Sequence, residues 1–177
     1  MIGDGCCAFV SISLGAGNKE AAHKSIGSAI LLCLASSLVL TLLYLTLQEP
    51  ILTLFGGRVN EETFYHAREY FFWITLGVPF YMFGQALNPI IRSDGSPKFA
   101  MASTLAGALT NIILDPIFIF IFHWGMMGAA VATVLGQVLT AVLSVWYLRH
   151  MKAVCLGRGS FGLHGNLARK YLPLERV

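Results

Sequence analysis

Charged side chains are scarce in this sequence. Asp, Glu, Lys and Arg together make up 12% of the 177 residues, whereas soluble domains contain about 25%. Hydrophobic residues make up 56%, and the mean hydropathy is +0.69. These values exclude an ordinary soluble domain and predict an integral membrane protein. The net charge of +3 is explained by basic loops beside a membrane and does not indicate nucleic-acid binding.

The sequence also lacks the patterns that most catalytic and metal sites need. It contains neither a phosphate-binding loop nor a serine-hydrolase pattern, and its five histidines do not follow a metal-binding spacing. An intramembrane aspartyl protease needs two membrane carboxylates, and the apolar segments offer one. We therefore expect neither enzymatic activity nor a cofactor. The cysteines lack disulfide or metal spacing and are expected to be packing residues or inert thiols: Cys6, Cys7, Cys33 and Cys155.

Long uncharged runs predict four membrane-spanning helices. About 20 apolar residues cross a bilayer as a helix, so we assign the spans to residues 25–48, 70–91, 99–122 and 126–148. A further run, residues 6–14, is too short to cross and looks like the end of another helix. The predicted fold is an all-α integral membrane protein with four transmembrane helices and a partial helix.

Local signals predict where some helices begin and end. Asn60, followed by two glutamates and Thr63, is typical of an N-cap. The glycines at positions 15 and 17 suit the end of the partial helix. The second span contains Pro79 and is expected to end near Pro89.

The basic residues indicate the orientation of the spans. With four spans, the bases on one side of the membrane are Lys19, Lys24, Arg92, Lys98, Arg149, Lys152 and Arg158. Bases on the opposite side are offset by glutamates. The positive-inside rule places the first side in the cytoplasm. We expect a multi-pass protein of a bacterial-type plasma (inner) membrane, with Asp115 in the outer half of its helix.

Asp115 is the only acidic residue between Lys98 and the C-terminal tail, and it lies in an apolar stretch. A charge at the centre of a membrane helix costs about 2.5–3.5 kcal/mol on insertion scales, so such a residue predicts a site for a proton, an ion or a charged ligand. Pro116 follows directly and has no N–H, which predicts a kink and a freed carbonyl at Ile112. The carboxylate and the loosened backbone should therefore meet at one depth in the bilayer.

Asn111 lies four residues before Asp115, so both belong to one helical face, which Gly107 and Thr104 continue. This face can coordinate a cation or hold a proton, and the two would compete for one carboxylate. The alternative is a hydrogen-bonded pair that only joins helices. Thr133 lies on a small-residue face of the fourth span, which predicts close packing against another helix.

Two further polar residues have simpler explanations when each is considered alone. Asn88, between Pro79 and the basic turn, is typical of an interhelical hydrogen bond. Tyr70, where the second span enters the membrane, is typical of an interfacial belt residue.

Four stretches together resemble the multidrug and toxic compound extrusion (MATE) family. They are Leu-Gly-Ala-Gly-Asn-Lys-Glu-Ala-Ala at 14–22, Asn-Pro-Ile-Ile-Arg-Ser-Asp-Gly-Ser-Pro-Lys at 88–98, Asn-Ile-Ile-Leu-Asp-Pro-Ile-Phe at 111–118 and Gly-Met-Met-Gly-Ala-Ala-Val-Ala-Thr at 125–133. The resemblance implies part of a twelve-helix, two-lobe exporter of organic cations and drugs, driven by Na⁺ or H⁺. It places the coupling cluster on Asp115, Asn111, Thr133, Asn88 and Tyr70, and the only metal ion that it implies is Na⁺ at Asp115.

The resemblance covers about residues 5–150, from the end of helix 2 to helix 6. It predicts a partial N-terminal lobe at residues 1–150 and leaves 151–177 as a polar basic tail or linker. Helix 1 and the second lobe have no counterpart, so we expect an incomplete part of a transporter. The expected partners are organic cations or drug-like small molecules, membrane lipid and the missing helices. Two alternatives stay open: a non-transporting membrane remnant, and a lipid-linked saccharide flippase of the same superfamily.

Overall fold

The computed structural model describes residues 2–55 and 60–150, and in these residues the chain is helical throughout, without a strand. The predicted all-α fold is therefore confirmed. The predicted tail, residues 151–177, and Cys155 lie outside the described residues. The helices are α1 (Ile2–Gly15), α2 (Lys19–Thr46), α3 (Gln48–Leu54), α4 (Glu61–Ser93), α5 (Pro97–Pro116), a π-helical turn (Ile117–Ile121) and α6 (Gly125–Leu148).

Four helices are long and apolar enough to cross a membrane. These segments are Lys24–Thr46, Glu61–Ser93, Pro97–Ile121 and Gly125–Leu148. They coincide with the four predicted spans, so the prediction of a multi-pass membrane protein is confirmed. The apolar part of α1, Asp4–Ser13, is shorter than a span, as expected from the sequence.

Two helices end on glycines with positive φ. At the end of α1, Gly17 has φ +74° and the N–H of Asn18 donates to the carbonyl of Ser13 at 2.9 Å. After α4, Gly95 has φ +82° and the N–H of Ser96 donates to the carbonyl of Ile91 at 3.3 Å. In both places the hydrogen bond spans six residues and ends the helix. It requires one residue in the left-handed conformation, which glycine adopts without steric cost.

The bounds of α4 confirm one prediction and correct another. Asn60 caps the helix, because its Oδ1 accepts a 2.6 Å hydrogen bond from the N–H of Thr63. The helix begins nine residues before the predicted span, since its first turns are polar and lie outside the apolar window. The predicted end near Pro89 is wrong, because α4 continues to Ser93. Membrane helices tolerate an internal proline when neighbouring groups satisfy the freed carbonyl.

The buried core lies toward the basic end of the bundle. α6 packs against both α4 and α5, while α1 and α2 pack against α4. Apolar side chains from α1, α2, α4, α5 and α6 form one cluster there: Cys6, Val10, Ala22, Ile26, Ala29, Ile30, Leu87, Ile90, Ile91, Ala100, Tyr147 and Leu148. This cluster fixes α4, α5 and α6 at one end, and a cavity lies between them about midway along the spans.

Candidate functional site

One face of α5 carries the polar stripe that the sequence predicts. Ala100, Ser103 and Gly107 are buried, and Asn111 and Asp115 continue the same face as half-buried residues. The opposite face is the exposed one, with Met101, Leu105, Leu109, Ile112 and Ile113. Asp115 therefore lies on the side of α5 that faces other helices, where a carboxylate is less costly than against lipid.

Asn111 connects the predicted residues of α5 and α6. Its Nδ2 donates to Asp115 Oδ1 at 3.4 Å and to Thr133 Oγ1 at 3.1 Å. The Thr133 hydroxyl in turn donates to the carbonyl of Ala129 at 3.0 Å. Among the described residues, no hydrogen bond engages Asn111 Oδ1 or Asp115 Oδ2. The site thus combines a carboxylate with neutral oxygen acceptors that have unused lone pairs.

A close approach of α5 and α6 brings these side chains together. A Cβ at Gly107 would lie 2.7 Å from the carbonyl oxygen of Gly136, and a Cβ at Gly136 would lie 2.6 Å from the carbonyl oxygen of Gly107. Neither position can accept a side chain without a shift. Small residues permit this backbone contact, and it lets the short side chains of Asn111 and Thr133 reach each other.

Pro116 is followed by a change of helical register. The N–H of Ile117 donates to the carbonyl of Leu114, and the N–H of Phe122 donates to the carbonyl of Ile117 at 3.1 Å. A bond to the fifth preceding residue defines a π-helical turn. The sequence predicts a kink at this depth, and the structure has a wide, π-helical turn there. Because Pro116 has no N–H, the carbonyl of Ile112 lacks its usual helical donor.

A cavity of about 240 Å³ opens beside this cluster, between α4, α5 and α6. Asn111 and Thr133 line it, together with other residues of α4, α5 and α6. Its other large or polar lining side chains are Phe80, Tyr81, Gln85, Thr104, Gln137 and Thr140. The cavity thus offers amide and hydroxyl groups on one side and aromatic rings on the other.

Gln137 is one of the cavity residues that sequence reasoning missed. Gln137 Oε1 is buried and has no hydrogen-bond partner among the described residues. Within that part of the chain, it is the one buried side-chain oxygen or nitrogen of which this is true. It lies against Gly77, where any Cβ would overlap it. The spacing of Thr133, Gln137 and Thr140, four and then three residues, could have shown that α6 presents a polar stripe as well as a small-residue face.

Asn88 lies outside the Asp115 cluster. Its Nδ2 donates to the carbonyl of Ala100 at 3.1 Å and to Thr104 Oγ1 at 2.9 Å. Thr104 precedes Asn111 by seven residues, or about 10 Å along α5. Asn88 therefore joins α4 to α5 in the basic half of the bundle, and its hydrogen bond to Thr104 links it to the cavity. Its proposed part in coupling stays a prediction.

Tyr70 lies at the depth of Asp115 but does not line the cavity. α4 and α6 run parallel, because Gly77 meets Val134 and Gly84 meets Thr140. Seven residues before Gly77, Tyr70 is about two turns farther from the basic end, near the level of Ala129. It is half-buried there, and its role also stays a prediction.

Sequence and structure comparisons identify the relatives of this chain. The MatE family profile matches residues 2–117. The chain is 30% identical over 130 residues to Protein DETOXIFICATION 42 of Arabidopsis thaliana, covering 73% of this chain and 25% of that protein. It is 30% identical over 147 residues to Multidrug export protein MepA of Staphylococcus aureus, covering 83% of this chain and 32% of that protein.

The fold resembles solved transporters. An inward-facing multidrug resistance MATE family transporter of the MOP superfamily superposes with a TM-score of 0.90 and 26% identity, covering 97% of this chain and 39% of that one. A MOP superfamily transporter from Pyrococcus furiosus superposes with a TM-score of 0.86 and 26% identity, and this chain covers 38% of it. The chain thus spans about a quarter to two fifths of these proteins. From the profile match, the four spans and the superpositions, we conclude that this chain belongs to the MATE family of membrane transporters.

Proposed function

We propose that this chain provides the cation-coupling part of a transporter that exports organic cations or drug-like compounds in exchange for Na⁺ or H⁺. The observation that carries the proposal is the Asn111 amide, which bonds both Asp115 and Thr133. This arrangement holds a carboxylate and neutral oxygens together at membrane depth. It lies beside the cavity that α4, α5 and α6 line.

The chemistry of the cluster suits a small hard cation or a proton. Na⁺ resembles Ca²⁺ and Mg²⁺ in preferring oxygen ligands, and Asp115, Asn111 and Thr133 supply carboxylate, amide and hydroxyl oxygens. A proton would occupy the same Asp115 carboxylate, so binding of one excludes the other. Either event removes or balances a charge between α5 and α6 and can therefore change how other helices pack against this face.

The cavity suits the proposed substrate class. Phe80 and Tyr81 contribute aromatic rings, which attract organic cations through their negative faces. The Asp115 carboxylate would repel the phosphate of a lipid-linked saccharide, so the site favours export of cations over the flippase alternative. The printed name of the Staphylococcus aureus relative, a multidrug export protein, agrees with this choice. We propose the plasma membrane as the location, with the basic loops on its cytoplasmic side.

A chimaeric transporter tests the proposal. Alternating access needs two bundles that rock around a central site, so the matching segment of MepA would be replaced by residues 2–150 of this chain. The chimaera would be expressed in bacteria that lack their own drug exporters, and ethidium accumulation would be measured. We expect it to lower accumulation, and we expect Asp115→Asn to abolish that effect at equal membrane abundance.

Thr110→Ala is the matched control, because Thr110 bonds only the carbonyl of Ala106 on its own helix and lies outside the cluster. Export by the Asp115→Asn chimaera at the rate of the unsubstituted chimaera would refute the proposal. Measuring export in vesicles with either a Na⁺ gradient or a pH gradient then identifies the coupling ion.

A further inference from the structure

A second cavity, which we call the lipid groove, lies between α2, α4 and α6. Its volume is about 520 Å³, and its walls are almost entirely apolar. The side chains that matter for the argument are Leu34, Phe83, Val142, Trp146 and Arg149. Phe80 lines this groove as well as the cavity beside Asn111, so its ring separates the two. The groove is thus distinct from the site proposed above.

The groove is open along the outer surface of the described helices. Leu34 is 40% exposed, Val142 56% and Trp146 53%. All three belong to helices that are apolar enough to span a bilayer. A surface of this kind at membrane depth is covered by hydrocarbon, because water finds no hydrogen-bond partners there.

One end of the groove carries a charge. Arg149 follows the last residue of α6 and is exposed, while the apolar walls extend from it toward the middle of the spans. Among the described residues, no carboxylate pairs with Arg149, whereas Arg68 at the opposite end pairs with Glu49 at 3.4 Å. An apolar groove with a single guanidinium at its mouth matches a molecule with a hydrocarbon chain and an anionic head.

We propose that the groove binds an anionic glycerophospholipid, with one acyl chain along Leu34, Phe83 and Val142 and the phosphate at Arg149. Charge complementarity selects this occupant: the Arg149 guanidinium lies at the mouth of the groove, and anionic headgroups collect beside basic residues at the membrane surface. A guanidinium binds a phosphate through two parallel hydrogen bonds. A zwitterionic lipid offers the same chain but a neutral headgroup, so the groove discriminates by headgroup.

Trp146 provides the measurement, because it lines the groove. Trp73→Phe and Trp124→Phe would be introduced into the 177-residue chain, so that Trp146 is its only tryptophan. The protein would be reconstituted in phosphatidylcholine bilayers at constant pH, with a small, varied fraction of acyl-brominated phosphatidylglycerol or acyl-brominated phosphatidylcholine. Bromine quenches tryptophan fluorescence only at close range.

We expect brominated phosphatidylglycerol to quench Trp146 at lower mole fractions than brominated phosphatidylcholine. Arg149→Gln should lower the apparent affinity for phosphatidylglycerol about fivefold, which corresponds to about 1 kcal/mol for one basic residue. Lys98→Gln is the matched control. It removes a base from the same end of the bundle but outside the groove, and it should leave the preference unchanged.

A second variant tests the groove itself. Val142→Phe adds a ring to the wall and should reduce the preference for phosphatidylglycerol even with Arg149 present. Equal quenching by the two brominated lipids would overturn the proposal, and so would equal effects of Arg149→Gln and Lys98→Gln. Absence of quenching by either lipid would show that protein covers the groove and would overturn it as well. None of these results depends on drug export.

Discussion

The hydroxyl of Tyr147 donates a 2.7 Å hydrogen bond to Oδ2 of Asp94, and both residues are buried. The bond joins the last turn of α6 to the turn between α4 and α5, at the basic end of the bundle. The two residues are 53 positions apart in the sequence, so the contact constrains three helices at once.

Tyr147→Phe should therefore destabilise the chain. A hydrogen bond to a charged group contributes about 1.5–3 kcal/mol, and the substitution leaves a buried carboxylate oxygen without this donor. Unfolding in mixed micelles of increasing SDS content, followed by tryptophan fluorescence, measures the change. Tyr44→Phe is the control, because Tyr44 is exposed and contacts Phe71 through its ring. Equal stability of the two variants would contradict the proposed importance of the bond.

Gly136→Ala should separate α5 from α6. The added methyl group would lie 2.6 Å from the carbonyl oxygen of Gly107, and overpacking of this kind costs about 1–3 kcal/mol. The same SDS titration measures this loss. Gly15→Ala is the control, since a Cβ there meets nothing within 4 Å, and it should change stability little. A Gly136→Ala protein as stable as the Gly15→Ala protein would show that the two backbones are not in contact.

Asn111→Ala and Thr133→Ala should each weaken coupled export less than Asp115→Asn does. Both remove neutral groups and leave the carboxylate in place. Asn111→Ala should have the larger effect of the two, because Asn111 bonds both partners whereas Thr133 receives one of these bonds. Initial rates of ethidium export by the chimaeric transporter, normalised to membrane abundance, give the order. A loss with Thr133→Ala as large as that with Asp115→Asn would indicate a packing role instead.

Residues 1–177, expressed by themselves, should not confer drug resistance. The described residues contain four helices that can span a membrane, and alternating access needs two bundles that move against each other. Growth of exporter-deficient bacteria in a dilution series of ethidium tests this expectation, with an epitope tag to confirm insertion. Ion-driven efflux by these residues alone would mean that several copies of the chain supply the second bundle.

The helical spans could be predicted because each is an almost continuous apolar run. Hydropathy located all four, but it missed the first turns of α4, which are polar and extend from Glu61 beyond the apolar window. It also assigned too much weight to Pro89, since the sequence does not show how neighbouring groups satisfy a freed carbonyl. The N-cap at Asn60 was predictable from its side chain alone.

The cluster of Asp115, Asn111 and Thr133 was only partly predictable. Spacing along α5 placed Asn111 beside Asp115, and the small residues of α6 indicated a close neighbour. The position of Asn88 could not be derived in this way, because the register between two helices depends on their packing. Its contact with Thr104, and the place of Gln137 in the cavity, follow from the three-dimensional arrangement of α4, α5 and α6.

The π-helical turn after Pro116 amounts to a one-residue insertion in a helix. One residue corresponds to about 100° of rotation in an α-helix. Positions counted at α-helical spacing from Pro97 therefore no longer fall on the same face of the helix beyond this point. A Cβ at Gly128 would lie 3.0 Å from Phe118, which fixes where α6 begins relative to the inserted residue. The face that Asn111 and Asp115 share therefore cannot be extended past Pro116 by counting residues, and contacts such as that between Phe118 and Gly128 show which side chains meet α6.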